Sequence, residues 1–240
     1  MKALGLELRK EKRTGTIVVL PIVGVIGAAY AFVNYIIRKD TLLSLPLKPM
    51  DVLLTQLYGM ILILNLFGII VTACIIYNME FKESAIKRMY TLPISITNIY
   101  LCKILVISSM LFLAVTMENI ALAKIGRTYL PHGSFEPGTL IRFSSYSFLT
   151  SMPVLTLMML ISSCFENMWV PLGVGVAGFL TGMALAPNEI SALMVHPFVL
   201  MLKPAVSLSA EPDMQVVMFA LVETVILFSL GFCMSKKRYE

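Results

Sequence analysis

From Thr16 to Ile37 the chain runs for 22 residues without a charge, and from Val52 to Tyr77 for another 26. A helix rises about 1.5 Å per residue and a hydrocarbon core is about 30 Å thick, so each run is long enough to cross a bilayer. Residues 143 to 165 and 167 to 186 form two more uncharged runs, split only by Glu166. Two further apolar stretches, 99 to 123 and 214 to 235, are interrupted by Lys103 and Glu118 and by Glu223. The pattern predicts an all-α polytopic membrane protein with six transmembrane helices, a single domain over residues 1–240. The small residues Ala29 and Ala31 resemble a signal-peptide cleavage site, but the apolar run continues to Ile37 and its leader is long and polar, so the first run is read as a span.

The polar segments between the runs have character of their own. In residues 1–15, Leu4 and Leu8 stand one helical turn apart among lysines and arginines, which predicts an amphipathic helix on the inner membrane surface or, failing that, a solvated basic tail. The segment from Lys124 to Arg142 holds Pro131, Gly133, Pro137 and Gly138 and reads as a turn region outside the membrane. Residues 188 to 213 contain an apolar patch too short to cross, broken by Pro197 and Pro204, and fit an interfacial or re-entrant element.

Composition agrees with this reading, since 58% of residues are hydrophobic and 14% charged, against about 45–50% and 25% in soluble domains. Lysine and arginine number 11 on the side of the N-terminus and 7 on the other, Lys103 excluded. Because cytoplasmic loops retain such residues, both termini are expected in the cytoplasm. The net charge of +5 then reflects membrane orientation and gives no reason to invoke nucleic acid. The four cysteines lie in or beside apolar runs without CxxC spacing and read as packing residues.

Motifs for soluble chemistry fail on context. GVGVAG at 173 to 178 matches a dinucleotide fingerprint in letters, yet it sits inside an apolar run with no βαβ unit around it. Gly173, Gly175, Gly178 and Gly182 are better read as sites of close helix packing, Gly178 and Gly182 forming GxxxG. There is no phosphate-binding loop, no HExxH and no GxSxG, and the two histidines, His132 and His196, lie in separate loops, so no catalytic or metal-ligating residue is assigned. An intramembrane carboxylate is costly, so Glu118 and Glu223 are candidates for a substrate path or gate, or for structural hydrogen bonds to neighbouring helices. Lys103 stands near the inner surface and reads as an anchor whose ammonium snorkels outward.

The segment between the second and third runs carries Phe81, Ala85 and Met89 at i, i+4 and i+8, and Glu83 paired with Lys87 on another side. Pro93 ends the periodicity. A short amphipathic helix of this kind suits docking into a groove on a soluble partner, or forms an interfacial loop.

Several stretches together resemble the permease subunits of type-2-class ABC exporters, and among them the lantibiotic immunity transporters of Gram-positive bacteria. They are LELRKEKRTGT ending at Thr16, EFKESAIKRMYTLPIS at 80 to 95 followed by IYLCK, FENMWVPLGVGV at 165 to 176, and HPF at 196 to 198. The resemblance implies that residues 1–15 are the elbow helix and 80–92 the coupling helix, with Glu80, Phe81, Lys82, Glu83, Ile86, Lys87 and Arg88 contacting the ATPase. It further implies two copies of a cytoplasmic ATPase that binds ATP and Mg, a second permease subunit or another copy of this chain, and export of a cationic antimicrobial peptide across the plasma membrane. This chain would itself bind no cofactor. An exporter of another antibiotic or ion, an accessory scaffold or sensor, and an intramembrane enzyme are the alternatives, the last weakened by the absence of a clustered polar motif.

Overall fold

The computed structural model describes residues 2–43, 45–82, 96–131, 133–188, 190–207 and 209–237. Most of these residues lie in helices: α1 (Lys2–Thr14), α2 (Val19–Leu43), α3 (Tyr58–Lys82), α4 (Ile96–Tyr129), α5 (Pro137–Cys164), α6 (Trp169–Leu185), α7 (Pro197–Val206) and α8 (Met214–Lys237). The chain is an all-α polytopic membrane protein. Gly15, at φ +77°, supplies the left-handed turn that redirects the chain from α1 into the first span. A π-helical turn over Val52–Gln56 leads into α3.

Helix α3 is the axis of the bundle. Its span is the most buried of the five, and α2, α4, α5, α6 and α7 all pack on it. Tyr58, Ile61, Leu66 and Ile69 along its length are fully buried. At the periphery, α2 and α8 turn most of their apolar side chains outward, Ile36 and Val25 on one and Met218 and Val225 on the other. Such surfaces are tolerated because lipid, like a protein core, is apolar.

Among the described residues, five helices are long and apolar enough to cross a membrane, where the sequence pattern predicts six. The run 167 to 186 yields only the 17 residues of α6, about 26 Å of helix. Asn167 turns the chain just before it, and the chain leaves the helix at Ala186. α6 nevertheless lies antiparallel along α3, with Phe179 against Phe67 at 5.0 Å between ring centroids and Gly175 against Ile70. The patch between α6 and α8 forms a 3-10 turn, Ser191–Val195, and then α7, whose Phe198, Val199, Leu200, Met201 and Leu202 are buried among α3, α5 and α6.

The glycines of α6 fall into two groups. A Cβ on Gly175 would meet Ile70 at 2.8 Å, one on Gly178 would meet Phe198 at 2.3 Å, and one on Gly182 would meet the Phe198 Cβ at 2.8 Å. Gly173 departs from the packing role expected of it, since it is exposed and nothing lies within 4 Å of its position. The helical period explains this, because Gly173 is 100° or more from the face that Gly175, Gly178 and Gly182 share. Gly178→Val should therefore destabilise the protein by about 1–3 kcal/mol through overpacking against a ring with nowhere to move, while Gly173→Val should leave it unchanged. Thermal unfolding of both variants in lipid nanodiscs checks the pair.

Candidate functional site

Two polar clusters interrupt the apolar bundle, one at each end. The first gathers where α1, the end of α3 and the start of α4 meet. Glu80, in the last turn of α3 and 4% exposed, forms ion pairs with both Lys10 of α1 and Lys103 of α4. The Lys103 ammonium also sits over the Tyr77 ring, 4.6 Å from its centroid. Lys103 is only 2% exposed, so it is not the surface anchor that its position in the sequence suggests. A carboxylate one helical turn into the neighbouring span holds it inside instead, as an intramembrane cation requires.

Helix α1 is oriented by the same cluster. Its buried side chains are Glu7 and Glu11, while Leu4 and Leu8 are half-buried and Leu6 is exposed. The acidic face is turned inward because the surface it meets carries Lys103. Burial disfavours the charge on Lys10, but Glu80 and Glu7 outweigh it, and its pKa is raised above the ordinary lysine value. Burial also raises the Glu11 carboxyl, against the opposing pull of Lys103 and Lys10.

Of the residues expected to contact an ATPase, Glu80 is thus paired within the chain, and Phe81 is half-buried against the chain's own core. Lys82 closes α3. Glu83, Ile86, Lys87 and Arg88 lie outside the described residues.

The second cluster lies toward the opposite end, the end at which Asp51 accepts a hydrogen bond from the Ala210 N–H at 2.9 Å. Glu118 of α4 is fully buried. Its Oε2 accepts from Asn65 Nδ2 at 2.8 Å, and its Oε1 fills the space that a side chain on Gly27 of α2 would occupy. Tyr58 of α3, also fully buried, stands beside Asn119 and Ser147 and within electrostatic reach of Glu118. Glu223 is elsewhere: it lies half-buried on α8, the helix packed on α5, with its Oε2 buried and unpartnered.

Sequence reasoning missed Lys10, Lys103, Asn65, Tyr58, Asn119 and Ser147 as members of these clusters. A signal for Lys103 was present, since an isolated lysine inside an apolar run demands a carboxylate near the same end of an adjoining run. Residues such as Asn65 and Ser147 carry no comparable signal, because a polar uncharged side chain is common anywhere in a span.

A bundle of apolar helices with polar clusters buried between them defines a polytopic membrane protein. The family model for an ABC-2 family transporter protein matches residues 3–182, and the chain belongs to that family. It is a permease subunit of an ABC transporter, a transport component whose family works with an ATPase. Comparison with curated proteins and with solved structures gave no match.

Proposed function

We propose that this permease exports a lantibiotic or similar cationic antimicrobial peptide from a bacterial plasma membrane, driven by two copies of a cytoplasmic ATPase docked on residues 80–92. A second, related permease or another copy of this chain completes the pair, and both termini face the cytoplasm. ATP and Mg act on the ATPase. The observation that carries the coupling assignment is the Lys10–Glu80–Lys103 cluster. It ties α1 to the two helices that flank residues 83–95, so a push on that segment is passed to three helices at once. The bias of lysine and arginine toward this end supports its cytoplasmic location. The resemblance of the elbow and coupling stretches to lantibiotic immunity permeases supports the substrate.

Because Phe81 and Glu80 serve the chain's own packing, the docking test belongs on Ile86. Replacing an apolar anchor at an interface costs about 2 kcal/mol or more at a hot spot, so Ile86→Asp should reduce co-purification of the ATPase at least tenfold. Cells carrying it should lose peptide tolerance while the permease is still inserted and expressed normally. A variant that retains both full ATPase association and tolerance would remove 80–92 as the coupling element.

A further inference from the structure

The ends of α2 and α4 away from the Lys10–Glu80–Lys103 cluster carry an unbalanced positive charge. Their last two turns hold Arg38 and Lys39 on α2 and Lys124 and Arg127 on α4, against one carboxylate, Asp40. All four cations are exposed, and among the described residues no ion pair involves any of them. They are four of the seven lysines and arginines counted on this side.

Two of the ammoniums are nevertheless held in place. Lys39 of α2 lies over the Tyr129 ring of α4, 5.8 Å from its centroid, and Lys124 of α4 lies over the Phe32 ring of α2 at 6.0 Å. Tyr35 of α2 packs on the same Tyr129 ring at 5.2 Å. Each lysine is thus held across the α2–α4 seam by an aromatic face of the other helix. A lysine that only snorkels extends its ammonium away from the bundle into water, whereas these two are drawn back along it. A ring face attracts the charge but offers no lone pair, so the three N–H donors of each ammonium stay available. Toward the middle of the bundle the surface turns apolar. Ile36 and Ile37 are exposed next to Arg38, Ile120 is exposed one turn from Lys124, and Leu113 continues the same face of α4.

We infer that this end of the α2–α4 seam is a binding site for an anionic phospholipid, whose phosphate is met by Lys39 and Lys124 while its acyl chains lie on Ile36, Ile120 and Leu113. The match is one of charge and of depth. Phosphate oxygens accept what the ammoniums donate and supply the negative charge that the chain itself does not. A soluble anion would answer the charge alone, whereas a lipid phosphate arrives attached to chains that cover the exposed isoleucines. Because the rings fix both stems beforehand, less side-chain freedom is lost on binding. The site goes beyond the export reading and is independent of it, since neither the ATPase nor the peptide enters the argument.

Native mass spectrometry of the full chain, released from nanodiscs of equal dioleoylphosphatidylglycerol and dioleoylphosphatidylcholine, reads which lipid is retained. The two lipids have the same acyl chains, so a preference is one for the headgroup. Phosphatidylglycerol should be favoured, and the double variant Lys39→Gln with Lys124→Gln should lower that preference about 30-fold, about fivefold for each lysine. Both lysines are exposed, so the variant should fold. Arg142→Gln removes an exposed cation at the same end but outside the seam, and should leave the preference unchanged. Phe32→Leu with Tyr129→Leu keeps every charge and should still weaken retention several-fold, which a general attraction between a basic surface and an anionic membrane does not produce. Equal retention of the two lipids, an equal fall in Arg142→Gln, or full retention by the double lysine variant overturns the site. Displacement by excess glycerol phosphate would show an anion site open to water and would overturn the lipid assignment.

Discussion

Glu80→Ala is expected to cost about 3–5 kcal/mol of stability, because it removes the carboxylate with which the buried Lys103 ammonium is ion-paired. Lys10 fares better, with its side chain 29% exposed and able to turn toward water. The penalty is therefore that of one unpaired intramembrane charge, and removing that charge as well should relieve it. A double variant, Glu80→Leu with Lys103→Leu, should recover most of the loss, since replacing a buried ion pair by apolar residues is often neutral or stabilising. Chemical unfolding of Glu80→Leu, Lys103→Leu and the double variant in nanodiscs gives the coupling energy directly. If Glu80→Ala unfolds like the unaltered protein, the ion pairs do not hold these helices together.

Gly24→Leu should have an effect of similar size for a different reason. A Cβ at Gly24 would lie 2.7 Å from the Ala114 Cα and 3.0 Å from its carbonyl oxygen, so backbone itself is in the way. α2 and α4, which pack more extensively than any other pair, would have to separate. Overpacking of this kind costs about 3 kcal/mol or more when no side chain can yield. One turn along the same seam, Gly27→Ala should cost less, about 1–3 kcal/mol, because the atom 2.6 Å away is the end of the Glu118 side chain. That carboxyl can swing aside, at the expense of its hydrogen bond from Asn65. Thermal midpoints of the two glycine variants in lipid give the order, and a larger loss for Gly27→Ala would reverse the argument.

The all-helical class, the membrane location and four of the long spans could be read from the runs themselves, because a lipid-embedded backbone must satisfy its hydrogen bonds locally and so has little choice but helix. The third span, α4, was legible despite Lys103 and Glu118. The same arithmetic overcounted at 167 to 186, where apolar letters extend beyond the residues that stay helical. Charge counting supports the proposed orientation, and the family resemblance supports the proposed elbow and coupling stretches.

What the sequence by itself determined is therefore the set of helices and the medium around them, since hydrophobicity and helical rise act along the chain and need no partner. Only the tertiary structure decided which polar groups meet. Lys10, Glu80 and Lys103 come from three helices and form two ion pairs on one carboxylate, which makes Lys103 part of an internal clasp where its place in the sequence suggests a surface anchor. Glu118 found one amide donor and an unsubstituted α-carbon at Gly27, which left its second oxygen unpaired. Pairing across helices depends on their rotation and register to within a fraction of a turn. Lipid, unlike water, lets an apolar helix face outward in almost any rotation, so the hydrophobic pattern that placed these helices in the membrane carried little information about which faces would touch.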